Sequence, residues 1–209
     1  VFVDTRETMY RHLQTRILDA YNNAEAAHAI YRDFGINAVL VPIPKTRYIP
    51  EVGGWEDVIE RFCSREDWAI VYFDRISVVV LRRTPANQKI IEQNEFRILR
   101  PNLPSNLYVH SKNRKVESDR QFQLELDRCL ANEPESPICL TAQGSELARS
   151  PEQEAWNRAR GFLERAVKSD PVNVTALMEL EKVYRSLGDL SRAQQVSERL
   201  EFLTNPGPR

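Results

Sequence analysis

Asp4 and Arg6 stand at the C-terminal end of a short apolar run, Val1–Val3, and Tyr10 follows four residues on. Open α/β sheets bind ligands outside the carboxyl ends of their strands. A guanidinium placed there can grip a phosphate or a sugar acid through paired hydrogen bonds. The competing reading is an ion pair of Arg6 with Asp4 or Asp74 that fixes the turn into the next helix. His12, His28 and His110 are scattered, without HxxxH or HExxH spacing, so neither a metal site nor a cofactor is expected. Gly53-Gly54 precedes an amphipathic run, and helix N-termini attract anions. No GxGxxG or GK[ST] pattern surrounds it, so it reads as a loop before a helix. No GxSxG elbow and no Cys–His constellation supplies a nucleophile. Cys63, Cys129 and Cys139 form no CxxC pair and read as buried thiols rather than a disulfide framework or metal site. The chain is expected to bind rather than to catalyse.

Tyr48 and Trp55 flank Thr46–Gly54, a loop rich in proline, glycine and aromatic residues. Such rings could stack on a sugar face as a flap or meet a membrane as a lip; the plainer reading folds them back on the sheet. Trp68, Tyr72 and Phe73 lie on a predicted strand and read as core. Lys112, Arg114 and Lys115 make a short basic run that could meet anionic headgroups.

The elements that must position these residues change rhythm along the chain. Over 1–83, β-rich runs at Val1–Val3, Ala38–Ile43, Trp68–Phe73 and Ile76–Leu81 alternate with helical periodicity over Glu7–Phe34 and Trp55–Ser64. Strands alternating with helices predict a small mixed α/β domain with a mostly parallel four-stranded sheet. AVLVPI and ISVVVL are nearly continuous in apolar residues, which suits strands buried on both faces. The short Asp74-Arg75 link predicts an antiparallel hairpin at the sheet's edge. Residues 84–116, broken by Pro101 and Pro104, read as a connector.

Residues 117–209 are punctuated differently. Pro134, Pro171 and Asn205-Pro206 close the amphipathic runs Phe122–Leu130, Ala159–Val167 and Ala193–Leu203. In Val174–Asn205, Leu177, Leu180 and Tyr184 share a helix face, Gly188-Asp189 makes a turn, and Ala193 and Leu200 continue on a second helix. This segment resembles the tetratricopeptide repeat, with Glu181 where the family has a small residue and Ser197 where it has an aromatic one. The unit before it carries Leu140, Gly144 and Leu147 on its first helix and Ala159, Leu163, Ala166 and Pro171 on its second. Pro134 and Pro171 lie 37 residues apart against a usual period of about 34, which places an insertion near Ser150–Gln153. Phe122, Leu126, Cys129 and Pro134 fit a second helix whose first helix has decayed. Two and a half units are few for a continuous core, so the array is expected to lean on the front of the chain.

The front carries a second resemblance. Asp4, Arg6 and Tyr10, then Gly35-Ile36, then Trp68, Val71, Tyr72 and Asp74, then Arg82, with Arg100-Pro101 before the repeats, follow an order found elsewhere. It is similar to the soluble region after the membrane spans of bacterial polytopic glycosyltransferase-like proteins of the dolichyl-phosphate-mannose mannosyltransferase type. Thr5 departs from the glycine common there. The resemblance implies a non-catalytic accessory domain on the extracytoplasmic, periplasmic face of the inner membrane, tethered to membrane spans of its own full-length chain. The catalytic carboxylates of such enzymes lie near the N-terminus, outside this sequence. Its partner would be a protein or peptide bound by the repeats. The alternative is an independent α/β sugar- or nucleotide-binding domain or enzyme, for which no phosphate loop or acid/base pair speaks.

Composition agrees with two small domains in 209 residues. A net charge of −1 leaves no electrostatic footprint for nucleic acid. No signal peptide and no apolar stretch of spanning length is present, and the start at Val1, directly in a strand, reads as that of an excised fragment.

Overall fold

Asn23 divides the expected helical stretch Glu7–Phe34 in two. Its backbone is extended (φ −125°, ψ 111°), and its Oδ1 accepts from the N–H groups of Glu25 (2.9 Å) and Ala26 (3.3 Å). A side chain that caps a helix so well ends the one before it. The result is α1 (Arg11–Asn22) and α2 (Ala24–Asp33). Gly35, at φ +59°, closes α2: its N–H donates to the Arg32 carbonyl and the Ile36 N–H to Tyr31. Only glycine takes that left-handed position without steric cost.

The computed structural model describes residues 11–43, 47–49, 54–56, 58–101 and 116–204. The chain divides into two compact units, Val1–Tyr72 with Ser77–Glu95 and Phe73–Ile76 with Phe96–Arg209. After α2 come β1 (Ala38–Pro42), β2 (Arg47–Ile49), β3 (Gly54–Glu56), α3 (Val58–Phe62), β4 (Trp68–Phe73), β5 (Ser77–Arg82) and α4 (Gln88–Asn94). Val78 and Val80 of β5 are buried, and Trp68 of β4 meets the Tyr31 ring edge-on at 5.2 Å. Ala69 and Leu81 pack on Ile91 of α4. β4 and β5 are thus covered on both sides, as alternating side chains require.

The sheet's topology corrects the expectation. Three of the described strands form an antiparallel sheet in the order β1-β5-β4, where a mostly parallel one was expected. The run Val1–Val3 lies outside the described residues. The helical crossover from β1 to β4 does set those two strands in one direction. β5 then turns back at Asp74, whose Oδ1 accepts from the Ile76 N–H at 2.7 Å, and slots between them. Leu40 stands opposite Val79, and Val41 opposite Val78. The hairpin's second strand is therefore central rather than at an edge. Burial on both faces fails for β1, where Leu40 is 70 % exposed. The Thr46–Gly54 loop contains a β-ribbon instead: β2 and β3 pair antiparallel, with Tyr48 opposite Trp55. α4 falls inside the expected connector.

In the second unit, α5 (Val116–Asn132), α6 (Pro137–Leu147), α7 (Gln153–Ser169), α8 (Val174–Ser186) and α9 (Leu190–Thr204) follow the proline stops. Pro171 cannot continue α7, and Asn173 then caps α8 by accepting from the Ala176 N–H at 3.0 Å. Gly188 (φ +78°) closes α8 as Gly35 closes α2, with Asp189 N–H on Tyr184 and Gly188 N–H on Arg185. α6 and α7 are joined by residues 148–152, a loop two residues longer than 187–189 between α8 and α9.

The cysteine reading also needs correction. Cys129 at the end of α5 and Cys139 in the first turn of α6 form a disulfide, with Cα atoms 6.3 Å apart. Both sit at buried positions of their helices, which the sequence showed; their approach across the α5–α6 turn it did not. Cys63 is a buried free thiol.

Candidate functional site

The helical hairpins are built from the repeat positions. Ala159 and Leu163 of α7, Leu180 and Tyr184 of α8 and Ala193 of α9 form one buried cluster, and Leu140, Ala166 and Ala176 a second. Leu177 is fully buried, Leu147 and Leu200 are half-buried, and Pro171 and Gly188 occupy turns. Gly144 is the tightest point: a Cβ there would lie 2.5 Å from Leu163 Cγ and 3.2 Å from the Ala159 carbonyl. Glycine is what lets α6 and α7 touch.

A second periodicity emerges from the contacts. Arg165 of α7 donates to the Pro134 carbonyl (2.7 Å) and to Glu135 Oε1 (2.7 Å), clasping the turn before α6. Arg199 of α9 donates to the Pro171 carbonyl, clasping the turn before α8. The two arginines lie 34 residues apart. The Arg165 hydrogen bond holds the exposed Glu135 carboxyl below its ordinary range, with Lys168 helping. The signal was an arginine at one helical position in each unit, invisible until the turns were in place.

One face of α8 is left uncovered by the hairpins. Met178, Lys182 and Arg185, spaced i, i+4, i+7, are all exposed. Lys182 bridges to the buried Glu179 at 2.8 Å, and Arg185 places Nε and a terminal nitrogen on Glu181 at 3.0 and 2.7 Å. Glu181 is therefore accommodated as a half-buried partner of Arg185. On the other side of α8, Tyr184 donates to Glu164 at 2.7 Å beneath Arg192. Burial first, and Glu164 second, push the Tyr184 hydroxyl up to about 12. A raised folded-state value means the contribution is whole below the free tyrosine value of about 10 and is lost as pH rises toward 12. Wild type is expected to lose stability over that window relative to Tyr184→Phe, read by urea melts at successive pH values.

Glu125 of α5 is a structural position that the pattern hid. It sits inside the stripe Phe122, Leu126, Cys129 and is fully buried. Its carboxylate accepts from the backbone N–H groups of Arg97 (2.8 Å), Ile98 (3.0 Å) and Leu99 (2.8 Å) and from Gln121 (2.8 Å). These bonds replace the ladder that an irregular segment lacks, as a buried backbone requires. A glutamate within an apolar stripe was the available signal. Next to it, Arg128 lies 4.2 Å over the Phe96 ring.

Asp4, Arg6, Tyr10, His110 and the basic run Lys112, Arg114 and Lys115 lie outside the described residues. Tyr48 and Trp55 are brought together in register. His28 contacts the Phe62 carbonyl at 3.1 Å. Tyr31 packs against Trp68, and its hydroxyl is pushed above the ordinary tyrosine value by burial and by Cys63. Among the described residues no group of three or more His, Cys, Asp or Glu could hold a metal ion, and no helix is long and apolar enough to cross a membrane.

No protein-family model matches the chain, and no characterised protein or solved structure matches it significantly.

Proposed function

We propose that this chain is a non-catalytic protein-interaction module whose helical hairpins act as tetratricopeptide-like repeats. The observation that carries it is the exposed face of α8 on a buried scaffold of repeat positions. Met178 offers an apolar contact, and Lys182 and Arg185 add cationic groups one and two turns further along the same face. Arg185's pair with Glu181 is exposed enough to contribute little and to exchange for a partner's carboxylate, while Lys182 keeps the buried Glu179 neutralised and offers its remaining donors. The occupant is a peptide segment pairing an apolar with an acidic residue. The setting is an accessory domain on the extracytoplasmic side of a bacterial membrane, attached to a glycosyltransferase-like protein. The Cys129–Cys139 bridge supports that compartment, since such bonds persist where thiols are oxidised.

The test is selection of peptides from a random displayed library on the full chain. Selected sequences should combine an apolar and an acidic residue, and Lys182→Ala with Arg185→Ala should weaken them about tenfold or more, roughly 1.4 kcal/mol. Equal binding to the variant would sink the assignment of α8. The purified chain is also expected to turn over neither activated sugars nor phosphoesters; turnover abolished by one substitution would overturn the non-catalytic reading.

A further inference from the structure

We propose that α9 of a second copy of this chain docks on the α8 face, so that copies join head to tail. Phe202 and Glu198 of one copy meet Met178, Lys182 and Arg185 of the next. This rests on reading the α8 face as the binding surface, and it names the partner that meets it.

The last helix of a stacked array has no neighbour beyond it, and its outer face is ordinarily polar. In α9 that face is not. Ala193 is buried in the cluster shared with α8, and Val196 packs on the same cluster, so these residues face inward. Glu198, Glu201 and Phe202, at spacings of three and four, share an exposed stripe on another side. Phe202 is 77 % exposed, more than any other large apolar side chain among the described residues. Glu198 accepts from Gln194 at 3.1 Å, a bond within one exposed turn that exchanges for a cation at little cost.

This stripe joins an apolar side chain to acidic ones, and the α8 face joins an apolar side chain to cationic ones. With the two helices antiparallel, Phe202 lies on Met178. Glu198, one turn before Phe202, then lies on Lys182, one turn after Met178, and Arg185 follows within reach of the same carboxylate. Lys182 bridges Glu179 at 2.8 Å and still has donors to give. Within one chain the two stripes do not meet. α8 and α9 pack through Leu180, Val183, Tyr184 and Ala193, which turns both stripes outward. The contact therefore needs a second copy. Because the faces that meet are different, every pair leaves one α8 face and one α9 stripe open, and association runs past the dimer. One helix pair makes a small interface, so a dissociation constant on the order of 10–100 µM is expected.

The experiment is sedimentation velocity of the full chain over about 1–500 µM. Wild type should grow in mass with concentration, and added salt should push that growth to higher concentration. Two variants each lose one face: Met178→Asp with Arg185→Ala, and Glu198→Lys with Phe202→Ser. Each alone should self-associate at least about tenfold more weakly. Mixed in equal amounts, they should form one-to-one dimers and stop there, since the α9 stripe of the first meets the α8 face of the second and no other intact pair remains. All four positions are exposed, and circular dichroism checks that the fold is kept. Should either variant lose it, the single changes Arg185→Ala and Phe202→Ser take their place. Wild type monomeric at every concentration would overturn the proposal, as would a variant that self-associates like wild type or a mixture that fails to pair. The Glu198→Lys, Phe202→Ser chain keeps its α8 face and should bind selected peptides as wild type does. Peptides that bind α8 of a chain that never self-associates would remove the second copy as occupant and leave the α8 reading standing. Peptides selected onto another face would remove that reading itself.

Discussion

Replacing Glu125 by alanine is expected to cost about 4 kcal/mol, the largest effect of any single polar substitution in the second unit. The carboxylate is fully buried and receives three consecutive backbone N–H groups, those of Arg97, Ile98 and Leu99. Removing it strands three donors, and an unmade buried hydrogen bond costs more than a made one contributes. Glu125→Gln keeps one acceptor oxygen but turns an NH2 group toward the remaining donors, so about 2 kcal/mol is expected. Urea unfolding of the two variants separates this account from simple loss of volume. If Glu125→Leu, which fills the space, proves as stable as wild type, the capping argument fails.

The second large effect lies at the α6–α7 contact. Leu163→Ala should cost about 4 kcal/mol, since the side chain is fully buried in the cluster shared by α7, α8 and α9. Gly144→Ala should cost about 2 kcal/mol through overpacking, because its new Cβ would meet Leu163 Cγ at 2.5 Å. The two are not independent. Truncating Leu163 removes the atoms that a Cβ at 144 would strike, so the double variant should be at least about 1 kcal/mol more stable than the sum of the two costs implies. Additive costs would mean that the helices slide apart instead of colliding, and that Gly144 is not there for close approach.

The helical half was largely legible in the sequence. Prolines at 134 and 171, glycine at 188 and the small residues at 144, 159 and 193 each act locally, and local rules survive folding. Gly144 and Gly188 hold the roles that their neighbours demanded. The sheet was legible in part. Apolar runs located β1, β4 and β5, but which strand pairs with which depends on where β5 inserts, and an apolar run carries no label for its neighbour. Asn23 caps α2, yet apolar spacing continues through it, so periodicity alone points to one long helix. The Cys129–Cys139 bridge and the Arg165 and Arg199 clasps needed turns in three dimensions before their partners existed. Glu125 was legible only as an anomaly, a charge on a buried stripe.

Central to the account is the α8 face as the binding surface, and amide hydrogen exchange of the full chain with and without a selected peptide tests it most directly. Protection is predicted to rise on α8 around Met178, Lys182 and Arg185 and on the turn after it, and not on the ribbon that pairs Tyr48 with Trp55. A footprint on that ribbon or on β1, with α8 unchanged, would contradict it and return the binding function to the front of the chain.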